Sequence, residues 1–215
     1  MNTLIRDLYK YAKLNDKISL RKLQFISSLD VYKDALANAI ETIANEQIDN
    51  YPELLELKKF MEIYRKDFIV SAIDLRIISL VAEKGNEASL NELYNLAEKY
   101  TSLRKIWEDI TSFVEICKLD IDKKEYEEIR EKLPDKPVTE QMINLWCNLA
   151  EIHGYLSKMN DERYLITKEG EYILVVAKYI LNNMQIPKFY EFLLKLNNKE
   201  VEIKAAKKLL ALKPV

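Results

Sequence analysis

The chain has 215 residues, a net charge of −2 from 33 Lys+Arg against 35 Asp+Glu, and 48% hydrophobic residues with only 3 Gly and 5 Pro. That is enough apolar material for one large domain or two small ones, and scarce Gly and Pro beside abundant Leu, Ile, Glu and Lys point to a mainly α fold. A disulfide scaffold, a polybasic tail and a membrane helix are excluded, since 2 Cys make no framework and no apolar run approaches the roughly 18 residues of a span.

Residues 2–14 read as a short helix with Leu4, Leu8, Tyr11 and Ala12 on one side. The start MNTLIRDLYKYAK lacks a signal peptide's apolar core, so a cytoplasmic location without membrane contact is expected. Ser19 is expected to cap a second helix through Leu23 and Ile26. A longer helix from Asp30 to about Ile48 carries Leu36, Ala39, Ile40 and Ile43 at helical spacing, and Asn50-Tyr51-Pro52 ends it. Residues 53–66 and 68–84 follow as helices. The second is apolar on more than one face and belongs in the core, and Gly85-Asn86 stops it. Ser89 and Glu92 form a capping box for the helix that runs on through Leu93 and Leu96.

A further helix over 103–117 has Leu103, Ile106, Trp107 and Ile110 in its stripe. Asp122 and Glu125 are expected to form a second capping box, with Tyr126, Ile129 and Leu133 on one face of the helix that follows. Pro134-Asp135-Lys136-Pro137 is a turn, and the next helix starts near Thr139. At 100° per residue Met142, Leu145, Trp146, Leu149, Ile152 and His153 share the face expected to pack inward. Glu140, Gln141, Asn144, Asn148 and Glu151 lie opposite. Gly154 fits the helix C-terminus, where a positive φ turns the chain. Tyr155–Met159 and Arg163–Thr167 alternate as two short strands around the turn Asn160-Asp161-Glu162, and Thr167 caps another amphipathic helix. Beyond it come a short aromatic helix opened by Pro187 and a last helix over 198–213, on which Lys204, Lys207 and Lys208 lie together. Cys117 and Cys147 read as buried thiols in a reducing compartment, with a disulfide between them as the alternative.

Gly154-Tyr155-Leu156 closing a helix and Tyr164-Leu165-Ile166-Thr167-Lys168-Glu169-Gly170 leaving a hairpin resemble the winged helix-turn-helix superfamily of small archaeal and bacterial regulators. The resemblance covers about residues 103–182. It implies a fold that is mainly α: an N-terminal helical assembly (1–100, for dimerisation or partner binding), a winged helix-turn-helix with one small β-hairpin wing (101–183) and a C-terminal helical extension (184–215). Its three helices are then 103–117, 123–133 and the helix from Thr139. An overlapping register over 67–84, 89–99 and 101–117 is also similar but lacks a wing.

What the resemblance implies for function is a transcriptional regulator on double-stranded DNA, with the third helix in the major groove, the wing on the backbone, and a homodimer formed through the N-terminal or C-terminal helices. Gln141, Asn144 and Asn148 would then read bases, and Lys136, Thr139, Lys158, Arg163 and Lys168 would contact the nucleic acid around them. Against this, no Lys or Arg lies between Lys136 and Lys158, so the third helix itself neutralises no phosphate. The alternative is a protein-interaction subunit that docks an acidic winged helix onto a partner protein. Catalytic residues, cofactors and metal sites are not expected: His153 is the lone histidine, the cysteines fall on different helices, and the three glycines are isolated.

Overall fold

The structure, a computed structural model, describes residues 17–29, 36–41, 68–100, 102–116, 122–136, 138–183 and 200–212. The expected helices over 2–14, 53–66 and 187–192, the far end of the helix reaching Ile48, and Cys117 lie outside these residues. Within them the chain is mainly helical with one three-stranded antiparallel sheet. Among the described residues no helix is long and apolar enough to cross a membrane.

Helix α1 (Lys17–Ser28) is buried continuously from Ser19 to Ser27, so Ser19 sits inside the helix and does not cap it. Its apolar residues Leu20, Leu23 and Ile26 pack against four later helices: α2 (Ala72–Glu83), α4 (Leu103–Ile116), α7 (Lys168–Asn183) and α8 (Glu200–Ala211). Polar side chains in so enclosed a helix need partners. The Arg21 guanidinium donates to Asp109 at 2.6 Å, to Gln24 at 3.0 Å and to Glu83, and the Lys22 ammonium reaches the Leu212 carbonyl. A helical stretch over 36–41 adds Leu36 and Ile40 to the same core.

Helix α2 begins at Ala72, later than expected, because Ser71 and Asp74 form a capping box there. Phe68 and Val70, both buried, lead into it. Leu75, Ile77, Ile78 and Val81 are wholly buried, which places this all-round apolar helix in the core as its composition requires. Asn86 (φ 73°) and Gly85 (φ 93°) then turn the chain in the left-handed region. An unexpected strand, β1 (Glu87–Ser89), precedes α3 (Leu90–Tyr100), whose predicted capping box is present: Ser89 N donates to Glu92 at 2.9 Å and Glu92 N to Ser89 Oγ at 3.2 Å.

Helices α4 and α5 (Lys123–Lys132) pack on each other, Trp107 stacking on Tyr126 at 5.0 Å and donating its indole N–H to the Tyr126 carbonyl. The Asp122 side chain caps α5, but the expected reciprocal bond from Glu125 is replaced: the Glu125 carboxylate pairs with Lys204 at 3.0 Å and with Lys208 on α8. This pairing, with Lys208 the leading cause, holds Glu125 below the usual carboxylate range.

Helix α6 (Glu140–Ile152), capped by Thr139, corrects the expected three-helix packing. Its principal partners are α2 and α3, not α4 and α5. The trio is therefore assembled from the first two helices of the overlapping register and the third helix of the other, with the α4–α5 pair inserted between. The hairpin strands β2 (Leu156–Lys158) and β3 (Arg163–Ile166) are not alone either. Their sheet runs β1-β3-β2, with Ala88 opposite Tyr164 and Ser157 opposite Leu165. Hairpins of two strands are marginal in water, and β1 supplies the third.

Candidate functional site

The motif around Gly154 has a physical account. At the end of α6 the Gly154 N–H donates to Glu151 and the Tyr155 N–H to Ala150, with Gly154 at φ 82°, a Schellman closure. Tyr155 is buried and its hydroxyl donates to the Ile69 carbonyl at 2.6 Å. Thr167 knits the far side of the hairpin to this turn: its N–H donates to the Tyr155 carbonyl and its hydroxyl to the Gly154 carbonyl at 2.7 Å, while the same oxygen accepts from Gly170 N at 3.1 Å and so caps α7. A Cβ on Gly170 would overlap the Tyr155 carbonyl oxygen, so α7 comes this close only with glycine there. His153 caps α6, and its Nδ1 lies 2.8 Å from Oδ2 of the buried Asp74.

The rotation of α6 differs from expectation. Trp146 faces inward as expected, but in company with Ile143, Cys147 and Ala150, and Cys147, wholly enclosed, has its thiol pushed up to about 12 by burial. Met142 (40% exposed), Leu145 (64%) and Ile152 (74%) face outward. The helix carries two overlapping apolar stripes, 142/145/149/152 and 143/146/147/150, offset by one residue or 100°. Packing on α2 and α3 takes the second and leaves the first on the surface.

Across the outer face of α6 the order follows from 100° steps. Trp146 forms the edge toward α2, covered by the Arg76 guanidinium 4.2 Å above its ring. Met142 and the half-buried Leu149 come next, then Leu145 and Ile152, then Gln141 and Asn148, and last Asn144, Glu151 and Glu140. Burial lowers Arg76 to about 10, and among the described residues it makes no ion pair. Ile69, 60% exposed, sits where Tyr155 anchors the chain.

The residues expected to contact nucleic acid are only partly brought together. Gln141, Asn144 and Asn148 share the polar edge of α6, and Thr139, Gln141 and Asn144 line a shallow recess of about 330 Å³ with Leu90 and Glu140. Lys158 lies beside this edge, its Nζ 5.8 Å over the Tyr164 ring, whose hydroxyl meets Asn148 at 3.5 Å. Its backbone N–H donates to Glu151. Arg163 is engaged elsewhere: Nε meets Glu87 at 2.5 Å and a second nitrogen lies 3.6 Å from Glu92, which binds it across the sheet to β1 and raises its pKa. Lys136 is exposed in the turn before α6, and Lys168 is exposed on the first turn of α7.

Sequence reasoning missed the outward stripe, having read it as core, and missed Arg76 altogether. The available signal was the apolar content of α6, which exceeds what one buried face requires. Among known proteins no family model, curated protein or solved structure matches the chain.

Proposed function

We propose that α2, β1, α3, α6 and the β2–β3 hairpin constitute a winged-helix module that acts as a protein-docking subunit without chemistry of its own, α6 meeting a partner protein and not a DNA groove. One observation carries this reading: the outer face of α6 holds Met142, Leu145 and Ile152 and not one Lys or Arg. Three large apolar side chains on one exposed helix face mark an interaction surface, whereas a groove-reading helix works within a phosphate field that only cations offset.

The rival reading is a regulator on double-stranded DNA. The exposed amides of Gln141, Asn144 and Asn148 favour it, since each can pair with adenine. Its supply of cations is thin, because Arg163 is held by Glu87 and Glu92 and the edge beside Lys158 carries Glu140 and Glu151.

Two measurements decide. Mixed-sequence duplex DNA is titrated at about 50 mM and about 200 mM salt. A photo-crosslinker is then placed at Leu145 in the cells that make the protein. The docking reading expects no shift of DNA at the lower salt, and a protein adduct at Leu145 that Ile152→Glu abolishes. DNA binding that weakens steeply with salt, or a nucleic-acid adduct, overturns it.

A further inference from the structure

Arg76 is the group whose environment calls for a ligand. Its guanidinium is half-buried against Trp146, and among the described residues no carboxylate answers it. Arg21, another cation enclosed beside α2, is answered by two carboxylates within the fold. A desolvated charge left unpaired is costly, and the cost is recovered when a partner brings the counter-charge. Arginine at the border of an exposed apolar surface is also among the residue types in which interface hot spots are enriched.

We infer that the stripe of α6 and Arg76 together receive one amphipathic helix of a partner protein, which sets a carboxylate against Arg76. The inference rests on the protein-docking reading of α6. Met142, Leu145, Leu149 and Ile152 repeat at intervals of three, four and three, the seam spacing of paired helices, so the natural occupant is another helix. At 1.5 Å per residue α6 accommodates about four turns of it. The flanks differ, Arg76 on the α2 side and the neutral amides of Gln141 and Asn148 on the other, so the occupant's seam calls for a carboxylate on the Arg76 side alone. A second copy of this chain supplies Arg76 with no carboxylate at the seam: an antiparallel two-fold sets Arg76 toward Arg76, and a parallel one sets it toward the amides of Gln141 and Asn148.

The test uses the full chain and two synthetic helical peptides with leucine at the seam positions. One carries glutamate along one flank and lysine along the other, and the second carries lysine on both. Fluorescence anisotropy should show the mixed-charge peptide binding at least about tenfold more tightly than the all-lysine one. Leu145→Glu should abolish binding of both, although it adds a negative charge that would strengthen any merely electrostatic attraction. Arg76→Glu should reverse the peptide preference, and Arg76→Gln, which retains much of the packing on Trp146, should remove it. Circular dichroism melts confirm that the variants fold. If the two peptides bind equally and Arg76→Gln changes nothing, the assigned occupant is wrong while loss at Leu145→Glu still upholds the docking reading. If Leu145→Glu leaves binding intact, or neither peptide binds at about 1 mM, the inference is overturned. Sedimentation that shows a dimer broken by Leu145→Glu also overturns it, by making a second copy the occupant.

Discussion

His153 Nδ1 lies 2.8 Å from Oδ2 of Asp74, so the last turn of α6 is latched to the first turn of α2. The same wholly buried carboxylate closes the Ser71 capping box, accepting from Ser71 N at 2.8 Å and Ser71 Oγ at 2.7 Å. The reciprocal half of the box and the latch therefore share one side chain. Asp74→Ala is expected to cost about 3 kcal/mol, roughly 1 from the cap and the rest from buried polar groups left unpaired. His153→Ala removes a 20% exposed partner and is expected to cost about 1 kcal/mol. Urea unfolding measures both, and equal losses would contradict the central place given to the carboxylate.

The rotation of α6 is tested by comparing its two apolar stripes. Ile143 is wholly buried, and Ile143→Ala should cost about 2–4 kcal/mol through lost transfer energy and the cavity left behind. Leu145→Gln and Ile152→Gln act on exposed positions and should stay within about 0.5 kcal/mol. A large loss at Leu145 with none at Ile143 would mean that the helix is turned to its other stripe.

Gly170 is constrained by contact, and Gly154 by a φ in the left-handed region. Gly170→Ala drives a methyl into the Tyr155 carbonyl, part of a turn already held by Thr167, and should cost about 3 kcal/mol. Gly154→Ala meets the strain of a φ of 82° and should cost about 1–2 kcal/mol. Thermal melts that show Gly170→Ala at wild-type stability would rule out so close an approach of α7 to the hairpin.

Burial pushes the Cys147 thiol up to about 12, so at pH 8 it is a protonated group out of reach of solvent. In a Cys117→Ser background the native protein should not react with an aqueous disulfide reagent at that pH. Reaction should appear only as urea unfolds the chain, because the unfolded thiol titrates near its ordinary value of about 8.5. Prompt labelling in the native state would show that α6 does not keep Cys147 inward.

Much of the local structure was legible in the residues themselves. The Ser89–Glu92 box, the turn at Gly85-Asn86, the Schellman closure at Gly154 and the Thr167 cap all arise within a few positions of one another, so side-chain chemistry and backbone sterics specify them without the rest of the fold. The mainly helical class follows in the same way from scarce glycine and proline.

Only the tertiary structure decided which helices surround α6, which strand completes the hairpin's sheet, and which side of α6 faces water. Two apolar stripes 100° apart make the inward and outward rotations equally periodic, and periodicity records spacing without direction. The choice came from elsewhere in the chain, where α2, wholly buried on several sides, and α3 seat Ile143 and Cys147, and where Glu87–Ser89, too short to announce a strand, pairs with Arg163–Leu165. Contacts between residues so far apart in the chain come only with the assembled core, and the outward stripe beside Arg76 is what that assembly leaves exposed.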